Sequence, residues 1–132
     1  MSDTAPDADV IIGVDTHKST HAAVAISALG ARLGSLSISA TGRGYRALLD
    51  WARSFGSIRA VGIEGTGSYG AGLTRHLQAT GPQVIEVNRP DRAIRRRLGK
   101  SDPIDAEAAA RAALTGRADG TPKDTTGPVE AL

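Results

Sequence analysis

Cysteine is absent from the sequence, which excludes a disulfide framework and any thiolate-held zinc or iron-sulfur site and makes a reducing, cytoplasmic setting the plain expectation. Aromatic residues are scarce: Tyr45, Trp51, Phe55 and Tyr69 are the full set, so a core must be built almost entirely from aliphatic side chains. No apolar run approaches the roughly 20 residues of a membrane span. The opening Met-Ser-Asp-Thr-Ala-Pro-Asp-Ala-Asp is acidic and polar, without the basic start and apolar stretch of a secretory signal. Neither a membrane partner nor secretion is expected, and 132 residues leave room for one domain.

Charge is sparse in total but concentrated in place. The formal net charge is +2; against that balance, Arg89, Arg92, Arg95, Arg96, Arg97 and Lys100 crowd one segment with only Asp91 to oppose them. A guanidinium presents a planar fork of donors that suits phosphate, so this segment is compatible with DNA or RNA as a partner. A solvated helix face explains the same charges without a ligand.

The apolar pattern changes period along the chain. Residues 10–16, 21–27 and 33–39 read as three short strands joined by brief polar turns, an antiparallel meander, because parallel neighbours need long crossovers. Tyr45, Leu48, Leu49, Ala52 and Phe55 then recur at helical spacing, opposite Arg43, Arg46, Asp50 and Arg53, up to Gly56. Residues 58–64 read as a buried strand, 68–80 as a helix closed by Gly81-Pro82, and 83–88 as a strand, so the last two strands are parallel neighbours. Pro90 and Pro103 each open a further predicted helix, to Leu98 and about Leu114. Residues 1–9 read as a disordered tail and 10–116 as the domain. Residues 117–132 read as a linker followed by Gly127-Pro128, the start of a helix that the chain does not continue. The expected fold class is α/β: a mixed five-stranded sheet, three antiparallel strands then two parallel, with helices on both faces. That is an RNase H-like arrangement.

Two acids stand where such a sheet opens. Asp15 ends the first strand and Glu64 ends the fourth; if those strands are parallel neighbours, both carboxylates reach one cleft. A partly buried acid costs a few kcal/mol, on the order of several hydrogen bonds, unless it is paired or bound to metal. Hard oxygen ligands of this kind suit magnesium or manganese in phosphoryl transfer. The competing reading of Asp15 is a turn cap. Asp102 and Asp105 flank Pro103 on one helical turn, and helix capping alone accounts for both; the cationic segment before them favours a site. Lys18 follows the first motif and is a candidate nucleic-acid contact or an ordinary surface residue. His17 and His21 read as turn and hairpin residues, and His76 carries no signal.

Other chemistries share parts of the pattern. Gly65-Thr-Gly-Ser-Tyr-Gly70 is a literal Gly-x-Gly-x-x-Gly between a strand and a helix, with Glu86 near the place of a ribose-binding acid, so a dinucleotide site competes. Gly-Val-Asp-Thr before a hairpin also resembles the phosphate loop of sugar kinases, which need a second lobe. A nucleic-acid-binding module without catalysis is a further alternative.

Taken together, Gly-Val-Asp-Thr-His-Lys at 13–18, Glu-Gly-Thr-Gly-Ser-Tyr-Gly at 64–70 and Gly-Lys-Ser-Asp-Pro-Ile-Asp-Ala at 99–106 resemble the DEDD transposases of the IS110 family of insertion sequences, in family order. The resemblance implies a fold similar to RuvC-type Holliday-junction resolvases. It also implies Asp15, Glu64, Asp102 and Asp105 as catalytic, metal-holding carboxylates, with magnesium or manganese as cofactor. DNA is the implied partner, with a bridging guide RNA and a multimer in the full-length enzyme. A second domain bearing a nucleophilic serine is part of that family pattern and is not found in these 132 residues, so the chain reads as the N-terminal part of such an enzyme, inactive in strand exchange alone.

Overall fold

A computed structural model describes residues 9–87 and 103–116. Strand β1 (Asp9–Thr16) turns through His17 to Thr20, whose carbonyl accepts from the His17 amide at 3.0 Å, into antiparallel β2 (Thr20–Ser27). Ser27 organises the next turn, its Oγ accepting from the amides of Leu29 and Ala31, and β3 (Arg32–Ser39) returns along the edge. The meander expected from the sequence is thus present, with β1 starting one residue earlier.

Helix α1 (Gly42–Arg53) starts where Thr41 Oγ1 accepts the Gly44 amide at 3.2 Å, a side-chain cap for an otherwise orphaned donor. Its stripe of Leu48, Leu49 and Ala52 is buried. Strand β4 (Ser57–Glu64) pairs parallel to β1, and α2 (Ala71–Thr80) crosses to β5 (Val84–Val87), parallel to β4. The sequence pattern starts this second helix at residue 68; in the structure residues 65–70 form a turn, with the amides of both Ser68 and Gly70 donating to the Gly65 carbonyl. Helix α3 (Pro103–Thr115) follows the undescribed stretch 88–102. The helix expected from Pro90 to Leu98 lies outside the described residues.

The sheet order is β3-β2-β1-β4-β5, so β1 is central and is buried from Val10 to Thr16. Its alternate side chains serve two cores. Val10, Ile12 and Val14 pack with Leu48, Leu49, Leu73 and Leu77 from α1 and α2. Ile11, with Ala22, Val24 and Ile26 of β2, meets Ala106, Ala110 and Ala113 of α3. Each fully buried aliphatic side chain contributes about 1.5–3 kcal/mol, and the few aromatics sit at the periphery, Trp51 meeting Phe55 edge to face at 5.2 Å. Helices therefore cover both faces, as expected. Among the described residues no helix is long and apolar enough to cross a membrane.

Candidate active site

The placement of the acids follows from strand register. Asp15 and Glu64 are direct partners across the parallel β1–β4 ladder, whose backbones lie about 4.8 Å apart, and they are 1% and 2% exposed. The face they share is set by the glycines two residues before each, since side chains repeat every second residue along a strand. A Cβ on Gly13 would stand 2.0 Å from the Ala106 carbonyl oxygen, and one on Gly62 would stand 2.7 Å from that of Ala109. Both acids consequently lie on the α3 side of the sheet.

Helix α3 runs against the direction of β1 and β4. Its last residues, Ala113 to Thr115, gather with Ile11, Ala60 and Ile85 near the starts of the strands, which brings its amino end over their carboxyl ends. There Asp105 is 3% exposed. Asp15, Glu64 and Asp105 are thus all buried towards one end of one sheet face, the last of them in the first turn of α3, where the helix's partial positive charge favours anions. Among the described residues no group of three or more His, Asp or Glu side chains is placed to hold a metal ion. The remaining candidate acid, Asp102, and the cations Arg89, Arg92, Arg95, Arg96, Arg97 and Lys100 lie outside the described residues. Lys18 is exposed on the β1–β2 turn that leaves Asp15.

The glycine-rich stretch after Glu64 folds onto itself. Gly65 takes a left-handed φ of 81°, and Thr16 Oγ1 donates to the Glu64 carbonyl at 2.7 Å, tying the ends of β1 and β4 together. A Cβ on Gly70 would meet the Gly65 carbonyl oxygen at 2.8 Å, so this glycine serves close packing. Because the Ser68 and Gly70 amides are spent on the Gly65 carbonyl, they are not offered to a pyrophosphate, and Glu86 is exposed on β5. The geometry does not favour the dinucleotide alternative.

His17 and His21 stand where the sequence reading puts them, on the β1–β2 turn and in the hairpin it closes. His21 is the first inward residue of β2 and is fully buried, on the face opposite the acids. Its Nδ1 accepts from the His17 amide at 3.2 Å, which leaves the proton on Nε2, an atom without a hydrogen-bond partner among the described residues. Burial pushes its pKa below 6.5; the backbone hydrogen bond at Thr20 opposes that shift and His17 adds to it. Tyr45 lies between His21 and His76, its ring centroid 6.2 and 5.6 Å from theirs. The sequence signal for this burial is weak, because β2 is apolar on both faces and shows no alternation. A surface depression lined by Arg53, Gly56, Ser57, Ile58 and Thr80 opens at the start of β4, the end away from Glu64, and contains no acid.

Comparison with known proteins agrees with this architecture. No curated protein sequence matches the chain. Among solved structures, T. thermophilus RuvC in complex with a Holliday junction substrate superimposes with a TM-score of 0.56 at 14% identity, covering 82% of this chain and 94% of that one. At that identity the likeness shows the fold, a RuvC-like, RNase H-like mixed sheet. The family model for transposases of the IS110 DEDD type matches residues 12–127, nearly the whole chain and all three motif segments. The chain belongs to the IS110-type DEDD transposase family.

Proposed function

We propose that this chain is the acid-bearing domain of a transposase that cuts and joins DNA, with the domain itself spanning residues 10–116 and residues 117–132 serving as a linker and the start of a next helix. The observation that carries this reading is the in-register pairing of Asp15 with Glu64, both buried, beneath the buried Asp105 of the facing helix. Like charges directly opposite on neighbouring strands are destabilising, and an enzyme that needs hard oxygen ligands at one point has a use for such a pair. The donor set fits a magnesium or manganese ion: it is all carboxylate and it lies at the open end of the sheet. Asp15 and Glu64 would hold the ion from the strands, with Asp105 and Asp102 completing the ligand set. A divalent ion bound there supplies charge neutralisation to the attacking and leaving oxygens of a phosphodiester. The protein's own contribution is to hold the two acids in register on neighbouring strands and to bury them from bulk water.

Family membership supports DNA as the substrate, and the cation-rich segment 89–100 supports binding of its backbone. A guide RNA and assembly into a multimer belong to the same reading. The test is calorimetric titration of magnesium and manganese into the purified chain beside Glu64→Gln and Asp15→Asn. Binding in the parent that both substitutions weaken supports one shared site. Absence of binding in the parent, together with salt-sensitive DNA binding, favours instead a nucleic-acid-binding module without its own catalysis, a reading consistent with the lack of a complete cage among the described residues.

A further inference from the structure

The turns that follow the two strand acids bring two aromatic rings together. His17, on the turn leaving Asp15, and Tyr69, on the turn leaving Glu64, approach with ring centroids 5.8 Å apart and planes tilted by 34°. They come from two different motifs, and Tyr69 is 44% exposed in a chain whose other aromatics are partly buried. Its turn is well anchored, held by the Ser68 and Gly70 amides on the Gly65 carbonyl, so the ring is presented from a fixed base.

The same end of the sheet carries exposed cations. Lys18 adjoins His17. The carboxyl end of β3 lies at this end as well, since Ser39 pairs with Thr20 and the Ala40 amide donates to the Ser19 carbonyl. Arg43 in the first turn of α1 is therefore brought to this end too, and it is exposed. A half-exposed His17 beside an exposed Tyr69, with cations at the same end of the sheet and recessed acids nearby in sequence, matches the chemistry of one ligand, a nucleotide whose base is not paired: the base offers a π-face and its flanking phosphates offer negative charge. Bases inside an intact duplex are stacked on each other and cannot reach such a ledge.

We infer that His17 and Tyr69 form a stacking ledge for an unpaired nucleobase next to the acids, with Lys18 and Arg43 taking the flanking phosphates. The inference rests on the proposed nucleic-acid function and adds a preference for opened or single-stranded substrate at this point.

The experiment uses the whole chain in EDTA with a short thymidine strand carrying one 2-aminopurine, and a blunt duplex of the same length. Binding of the strand to the parent is expected to change the 2-aminopurine fluorescence through stacking. Tyr69→Ala is expected to weaken strand binding about tenfold and to abolish the fluorescence change, Tyr69→Phe to retain both, and duplex affinity to change little. His17→Ala, at the other half of the ledge, carries the same test if Tyr69→Ala melts early. Strand affinity and fluorescence that are indifferent to both substitutions, or an equal loss for strand and duplex, would overturn the ledge while leaving the transposase reading intact. A parent chain that binds neither form would overturn both.

Discussion

Gly13 lies directly beneath Ala106: a Cβ on the glycine would stand 2.0 Å from the alanine's carbonyl oxygen and 2.3 Å from the Ala110 amide nitrogen. The obstacle is helix backbone, which cannot rotate away as a side chain can, so Gly13→Ala forces α3 off the sheet. The expected loss is about 3 kcal/mol, at the upper end of what overpacking costs, read as a lower urea midpoint. Gly67→Ala, where nothing lies within 4 Å and φ is not left-handed, is the matched control and should fall within about 0.5 kcal/mol of the parent.

Asp105 rides on the same helix. Asp105→Asn keeps the side chain's size while removing its charge, so it should weaken magnesium binding without lowering the melting temperature. Differential scanning fluorimetry with and without the ion would check this; an unchanged ion-induced shift would remove Asp105 from the site.

Thr41 caps α1 through its hydrogen bond with the Gly44 amide. Thr41→Ala should cost about 1 kcal/mol in chemical denaturation, and Thr41→Ser should restore most of it.

His21 gives the stability a pH dependence. Its pKa in the folded chain lies below the ordinary 6.5, so on acidification the unfolded chain takes up the proton first. Its contribution is full above about pH 6.5 and is lost as pH falls toward the folded pKa, with a slope of at most about 1.4 kcal/mol per pH unit. Melting curves between pH 8 and pH 5 should fall more gently for His21→Gln than for the parent; parallel curves would contradict a neutral, buried imidazole.

Much of this was legible in the sequence because apolar runs that stop at an acid mark strand ends. Asp15 and Glu64 stood out for that reason, and the switch from strand to helical spacing after Thr41 identified the layer that covers Val10, Ile12 and Val14. The sequence does not display register: that Asp15 faces Glu64, rather than a residue one step away, depends on the bulge between Val10 and Ile11. Nor does it reveal why α3 is rich in alanine. The reason is the close approach over Gly13 and Gly62, a relation between residues far apart in the chain. The sequence pattern starts α2 three residues early because glycine and serine tolerate both a helical turn and the tight loop that closes on Gly65. His21 is legible as a hairpin residue, but its full burial is not, because a strand buried on both faces has no polar phase to betray which positions point inward.

The β1–β4 ladder joins two acids 49 residues apart in the chain through the centre of the sheet. Mechanically they form a single rigid part, and their spacing cannot change without breaking hydrogen bonds of the central β1–β4 ladder. Asp105 belongs to a different part, carried by a helix held to that sheet by alanine contacts and close backbone approach. Local opening should therefore release α3 long before the strands separate. Amide exchange would record this as two tiers: slow along Ile12 to Asp15 and Val61 to Glu64, and faster through residues 103–115. Any adjustment of the site's geometry to a passing substrate would then occur at the helix, against an unmoving pair.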